Sequence, residues 1–321
     1  NNPDMTWSEL ERRLSDVPGT GRRQPTRLEL DAPQSHKRKP FEPTVTRRVS
    51  ATVPYAELHC HSNFSFLDGA SHPEELAEEA ARLGLAALAL TDHDGFYGVV
   101  RFAEAAEAVG MPTIFGAELS LGLTKPQNGI PDPEGTHLLV LARDPPGYGA
   151  LARAISEAQL TGKEKGKPQH RIDRLTELHQ DHWLVLTGCR KGMVPAALLR
   201  DGPAAAARAL QQLIDRFGRD NVAVELWDHG DPLDSARNDA LAELAVKHGV
   251  DLVATTNAHY ATPSRRPLAT ALAAVRARRS LDDADPWLPA AATAHLRSGA
   301  EQARRFARYP GVVERAAELG L

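Results

Sequence analysis

Cysteine is nearly absent: Cys60 and Cys189 are the two in 321 residues. A disulfide framework is therefore not expected, and a reducing cytoplasm is the expected setting. Aromatic residues are scarce at 5 %, although apolar residues reach 42 %. The core must then be built of Leu, Val and Ala packed between helices and strands, the composition of an α/β protein. No stretch of 18 apolar residues occurs, so no membrane span is expected, and Asn1 to Leu10 carry no apolar run of a secretory signal. Excess positive charge is missing too. The formal net charge of −4 argues against a protein that coats nucleic acid generally, though not against a local basic groove. What is abundant is histidine: thirteen residues, spread along the chain rather than gathered in a tag.

Residues 1–52 read as an extension. Pro18, Pro25, Pro33, Pro40 and Pro43 interrupt any helix, and basic residues such as Arg22, Arg23, Lys37, Arg38 and Lys39 outnumber nearby acids. Such a stretch is a solvated arm, or a contact for DNA or for another part of a longer protein. From Tyr55 the pattern alternates. Strands are expected over Tyr55–Cys60, Leu85–Leu90, Pro112–Phe115, His137–Ala142, His182–Thr187, Val222–Trp227 and Val250–Thr255. Helices are expected over Pro73–Gly84 with Ser71 as N-cap, and over Gly98–Gly110, Gly149–Thr161, Pro203–Phe217 and Asp234–His248. Short apolar strands alternating with helices indicate a parallel sheet, and seven such units favour a barrel related to the (β/α)8 type. Gly122 to Gly135 is a loop rich in Pro, Gly and Asn, and beyond Pro263 the pattern is helical and Arg-rich. The barrel is expected over residues 53–275, with a linker to a further domain over 276–321.

The polar residues fall where the apolar strands stop. His59 and His61 close the first strand two apart, so both imidazoles face one side and Cys60 turns away. The second strand runs into Asp92-His93-Asp94, the third into Glu118, the fifth into Cys189, the sixth into Asp228-His229 and the seventh into Asn257-Ala258-His259. Asp68 follows Phe66-Leu67, and His137 opens the fourth strand. Each has a bland explanation alone: a core histidine, a small buried thiol, a turn aspartate, a carboxylate paired with Arg. Together those explanations would each need a separate buried partner, whereas a shared set of cations satisfies all of them. Imidazole, carboxylate and one thiolate suit Zn²⁺, Mn²⁺ or Fe²⁺. The donors exceed what one tetrahedral ion takes, so two or three divalent ions are expected. Such a cluster serves phosphoester hydrolysis. Asp92, Asp94 and His229 are candidates for acid–base or supporting roles beside it. Lys163, Lys165, Lys167 and Arg171 are candidates for holding a nucleic-acid backbone, or simply form a solvated loop.

These motifs resemble the PHP family, named for polymerase and histidinol phosphatase. The likeness runs through H-C-H-S (59–62), F-L-D-G-A (66–70), T-D-H-D (91–94), G-A-E (116–118), H-L-L-V-L-A (137–142), T-G-C (187–189) and N-A-H-Y (257–260). Within the family it is most similar to the PHP domain of bacterial DNA polymerase III α subunits, in particular the error-prone, damage-inducible type of actinobacteria. The resemblance covers roughly residues 50–310 and implies a distorted (β/α)7 barrel leading into a polymerase palm. It implies nine metal ligands at His59, His61, Asp68, His93, Glu118, His137, Cys189, Asn257 and His259. Asn257 stands where the family has Asp, which removes a charge and any general-base capacity. The implied partners are DNA, the remaining polymerase domains and, through regions absent here, a sliding clamp and accessory mutagenesis proteins. Three functions stay open on this basis: a metal-dependent 3′–5′ exonuclease of reduced activity, a structural metal domain without turnover, and a stand-alone phosphatase of the histidinol-phosphate type.

Overall fold

The computed structural model describes residues 41–45, 48–126, 135–288 and 293–321. Within them seven strands form one curled sheet in sequence order. They are β1 (Ala56–Glu57), β2 (Ala87–Leu90), β3 (Thr113–Leu121), β4 (Thr136–Ala142), β5 (Trp183–Leu186), β6 (Val222–Leu226) and β7 (Asp251–Ala254). The helices are α1 (Pro73–Leu83), α2 (Val99–Val109), α3 (Pro145–Gly162), α4 (Ile172–His179), α5 (Met193–Asp201), α6 (Pro203–Phe217), α7 (Asp234–His248), α8 (Arg266–Ala277), α9 (Gly299–Arg305) and α10 (Val312–Leu319). β2 (ALAL) and β5 (WLVL) are buried along their whole length, as strands covered on both faces must be.

The sheet departs from the all-parallel expectation at one place. β4 runs antiparallel to both β3 and β5, while the remaining neighbours are parallel. Residues 122–135 carry no helical pattern in the sequence, which suits an antiparallel β3–β4 pair, whereas β4 and β5 pair antiparallel with the two helices α3 and α4 between them. The ladder is open between β1 and β7, but their continuations meet. Cys60 bridges Ala258, with His61 N–H donating to Ala258 O at 2.8 Å and Ala258 N–H to His59 O at 2.9 Å. The barrel thus closes at the carboxyl end of its strands, where the polar residues lie.

Local signals decide the helix ends. α1 begins with Pro73, whose fixed φ suits the first helical position. His72 is its cap, not Ser71, and its backbone N–H donates to Glu75 Oε2 at 2.9 Å. The Ser71 hydroxyl instead accepts from Ala261 N–H at 3.0 Å, tying this turn to the segment after β7.

Residues 1–40 of the expected extension lie outside the described residues. The end of that stretch packs on α1: Thr44 and Val45 N–H donate to Glu78 Oε1 at 2.7 and 2.9 Å. The boundary expected at residue 275 falls inside α8. Beyond it, α10 packs against β1 and β7. Gln302 of α9 reaches Tyr55 Oη at 3.0 Å and Thr256 Oγ1 at 3.1 Å. No helix among the described residues is long and apolar enough to cross a membrane.

Candidate metal centre

Glu118, at the carboxyl half of β3, is the hub. Its Oε1 lies 3.6 Å from His59 Nε2 and 3.1 Å from His137 Nδ1; its Oε2 lies 3.5 Å from His61 Nε2 and 3.3 Å from His93 Nδ1. Cys189 Sγ stands 3.9 Å from Oε1. Further out, Asp68 Oδ2 is 3.5 Å from His93 Nε2 and 3.1 Å from His259 Nδ1. Three overlapping triads result: His59–His61–Glu118, His93–Glu118–His137 and His61–Asp68–His93, each with its donor atoms within 4.8 Å of one another.

Backbone pairing sets these positions. β2 and β3 extend their contact past the β2 ladder, Asp94 N–H to Glu118 O at 3.0 Å, which holds His93 beside Glu118. His137 N–H donates to Lys191 O at 2.8 Å, bringing the Cys189 turn against β4. Two glycines permit the approach. A Cβ on Gly192 would lie 1.9 Å from Thr187 O, and one on Gly69 would lie 1.9 Å from Ser62 O, so the turns carrying Cys189 and Asp68 close only over hydrogen. Asn257 has φ 49°, a left-handed conformation that Asn and Asp tolerate better than other side chains, and its side chain is buried.

The pocket asks for positive charge. Burial works against a proton on His59, but Glu225 and Glu118 outweigh it and hold its pKa well above the usual range. Burial likewise opposes protonation of His93, yet Asp68 and Glu118 push it up to about 9. Burial and the neighbouring His93 hold His61 well below its usual value, against the pull of Glu118. Burial opposes ionisation of Glu118, and His137 with His59 overcomes it. Burial, then Glu118 and Glu225, push the Cys189 thiol well up.

A divalent cluster fits these residues. Asp68 Oδ2, His93 Nδ1, His137 Nδ1 and Asn257 Oδ1 are buried without a hydrogen-bond partner, although buried polar atoms are nearly always satisfied. His59 Nε2 and His61 Nε2 face each other at 3.0 Å, so one proton shared between them, or a cation bound by both, satisfies the pair. Imidazole and carboxylate donors with a nearby thiol suit Zn²⁺, Mn²⁺ or Fe²⁺.

Not every residue singled out from the sequence joins this cluster. Asp92 accepts from Ser62 N–H, Ser62 Oγ–H and Ser65 Oγ–H, all at 2.7 Å. Asp94 accepts from Ser120 N–H at 2.8 Å and Ser120 Oγ–H at 2.7 Å, and sits 3.1 Å from His170 Nε2. Both carboxylates are buried and committed to framing the loops, as side-chain alternation about His93 requires. His229 donates from Nε2 to Thr256 O at 2.7 Å. Burial holds its pKa down to about 4; the Thr256 carbonyl works the other way, and His259 adds to the lowering. Lys163 and Lys165 are exposed, Lys167 is partly buried, and Arg171 is exposed at the start of α4. Their loop is fastened to the centre's surroundings through His170 and Asp94 rather than by direct contact with the triads.

Asp92→Ala is expected to lower the free energy of unfolding by about 3 kcal/mol, because three buried donors lose their acceptor. Denaturant unfolding checks this. An unchanged stability with lost turnover would return Asp92 to a chemical role.

Sequence reasoning passed over three residues. Glu225 of β6 is fully buried and its Oε1 accepts from His59 Nδ1–H at 2.7 Å, which fixes the tautomer and leaves Nε2 free to ligate. Glu57 accepts from Tyr55 Oη–H at 2.7 Å, His59 N–H at 3.0 Å and Thr256 N–H at 2.9 Å, joining β1 to the end of β7. Both carboxylates sit inside apolar strands, and Glu57 shares the parity of His59 and His61; that was the available signal. Arg276 of α8 donates to Asp68 Oδ1 at 2.6 Å and had no local signal.

A seven-stranded barrel with a histidine–carboxylate centre at the carboxyl ends of its strands defines a metal-binding barrel of the PHP kind. The chain belongs to the PHP domain family, which matches residues 57–229. Among curated proteins it is 57 % identical over 320 residues to the error-prone DNA polymerase of Mycobacterium bovis, covering 100 % of this chain and 29 % of that protein. It is 54 % identical over 315 residues to the error-prone DNA polymerase of Cutibacterium acnes, covering 98 % of this chain and 28 % of that one. The chain thus spans under a third of the length of these relatives. Among solved structures, a Bifidobacterium adolescentis protein assigned as a metal-dependent phosphoesterase aligns at 18 % identity and a TM-score of 0.46, covering 66 % of this chain and 89 % of that one.

Proposed function

We propose that this chain is the N-terminal PHP domain of an error-prone DNA polymerase that acts in damage-induced translesion synthesis in the cytoplasm, and that it binds two or three divalent ions. The convergence of three histidine–carboxylate triads, two of them on Glu118, carries this reading. The identity to error-prone polymerases over the whole chain supports the polymerase context. Ions held there would supply Lewis-acid activation of water and charge for a departing oxygen, as phosphoester hydrolysis requires.

The chain's own residues do the holding. Glu225 fixes the His59 ring, and the Ser65 hydroxyl, 3.2 Å from His61 Nδ1, fixes the second imidazole. Asp92 locks Ser62 and Ser65 in turn. Phe66 and Tyr97 are exposed on the loops that carry Asp68 and His93, which suits stacking of nucleobases from a single strand. Lys163, Lys165, Lys167 and Arg171 would steer the backbone electrostatically. DNA and the remaining polymerase domains are the partners on this reading; a sliding clamp and accessory mutagenesis proteins would engage other parts of the polymerase.

A Mn²⁺-supplemented assay on 3′-labelled single-stranded DNA, run beside elemental analysis, tests this. Bound metal with slow shortening from the 3′ end, lost in His61→Ala, is the expected result. Metal without cleavage would leave a structural centre in place of a nuclease, and absence of metal from the purified chain would overturn the centre itself.

A further inference from the structure

The outer triad differs from the two built on Glu118. His61 and His93 already serve the inner triads, so Asp68 is the one donor it adds. Among the described residues Asp68 is also the one member of the cluster that holds an arginine: Arg276 Nη1 donates to Oδ1 at 2.6 Å. Oδ2 is left facing His259 Nδ1 at 3.1 Å and His93 Nε2 at 3.5 Å, with no hydrogen bond of its own. Asn257, buried beside the Cys60–Ala258 bridge, offers an unpartnered oxygen and no formal charge. The outer position therefore contains one carboxylate whose charge a permanent cation already matches.

We infer that Arg276 sets how tightly the outer ion is held, by competing with it for the charge of Asp68. The inference rests on the reading that the cluster takes up divalent ions. An arginine beside a carboxylate can act in two opposite ways. If it only orients the carboxylate, removing it loosens the ion. If it supplies the positive partner, removing it tightens the ion. The geometry favours the second: one oxygen of Asp68 is engaged in a short charge-assisted hydrogen bond, and Asp68 is the carboxylate this triad adds to two imidazoles it shares with Glu118. A neighbouring Arg lowers the proton affinity of a carboxylate by about tenfold or more, and a divalent ion carries twice the charge. Among the described residues Glu118 has no arginine or lysine partner: that carboxylate contacts imidazoles and the Cys189 thiol. Arg276 thus acts on the ion through the charge of Asp68, and it makes the outer ion the exchangeable one.

Mn²⁺ titration calorimetry on the purified chain, with ions counted by elemental mass spectrometry, tests this. Arg276→Gln is expected to tighten the weakest binding event by about tenfold or more while leaving the tighter events unchanged. Arg276→Lys, which keeps the charge, is expected to titrate like the parent. Asp68→Asn is expected to abolish the weak event alone. An Arg276→Gln variant whose weak event is unchanged or loosened would overturn the inference while leaving the inner centre standing, as would a weak event that survives Asp68→Asn. If the parent chain binds no ion, both readings fall. Thermal melting of each variant separates these results from misfolding, and Arg276→Lys keeps the comparison decisive if the Gln variant melts early.

Discussion

Glu118→Gln is expected to empty the inner part of the centre. The substitution keeps the side-chain volume and removes the charge that four imidazoles and a thiol approach. Asp68 also lies near His61 and His93, but it is held by Arg276 and does not reach His59 or His137 in any triad among the described residues, so it does not replace the charge of Glu118. Elemental analysis should then find less than one equivalent of metal where two or three are expected in the parent. Metal bound to the folded state alone stabilises by about 2.7 kcal/mol at a hundredfold excess over Kd. The melting midpoint that Mn²⁺ raises in the parent should therefore stay fixed in the variant. Any exonuclease activity should fall at least about a hundredfold, since the ions themselves are lost. A variant that retains its full metal content would mean that the ions sit elsewhere.

Asn257→Asp is expected to act in the opposite direction. The residue is buried, its Oδ1 has no hydrogen-bond partner, and its left-handed backbone accepts Asp as readily as Asn. The change therefore adds a buried negative charge two residues before His259 with little backbone cost. Metal affinity should rise about tenfold, equivalent to about 1.4 kcal/mol. The rate of 3′–5′ shortening of single-stranded DNA should rise with it, because the carboxylate also restores a proton acceptor. Calorimetry and the nuclease assay read these separately. Unchanged affinity and unchanged rate would show that residue 257 is not the weak point of the centre.

Much of the centre was legible in the sequence because its residues stand where apolar strands end. His59 and His61 share a parity, and Asp68, His93, Cys189 and His259 come where apolar runs give out, whereas Glu118 is a lone carboxylate inside the apolar run of β3. The direction of β4 was not legible: a buried apolar run looks the same read from either end, and only the lack of a helical pattern in the sequence of 122–135 hinted at it. The division of labour within Asp92-His93-Asp94 depends on which side chains turn inward. The serines that claim the two aspartates lie 26 to 30 positions away. Glu225 was hidden by its apolar setting in Val222-Ala-Val-Glu-Leu226. Arg276 lies 208 positions from Asp68, beyond the reach of any local pattern.

The seam between β1 and β7 also carries information about time. Thr256 and Glu57, which meet across it, are 199 positions apart, so the ring closes only when nearly the whole barrel has been synthesised. During synthesis from the amino end, His59, His61, His93, Glu118 and His137 emerge well before His259. A nascent chain could hold the Glu118 ligands together before the barrel is shut, while Asp68 gains His259 only once the last strand docks. Contacts of such separation slow folding, because loop closure precedes the reward. An ion captured early would tether distant strand ends and shorten the remaining search, making metal supply a determinant of how fast this barrel matures and not only of what it does afterwards.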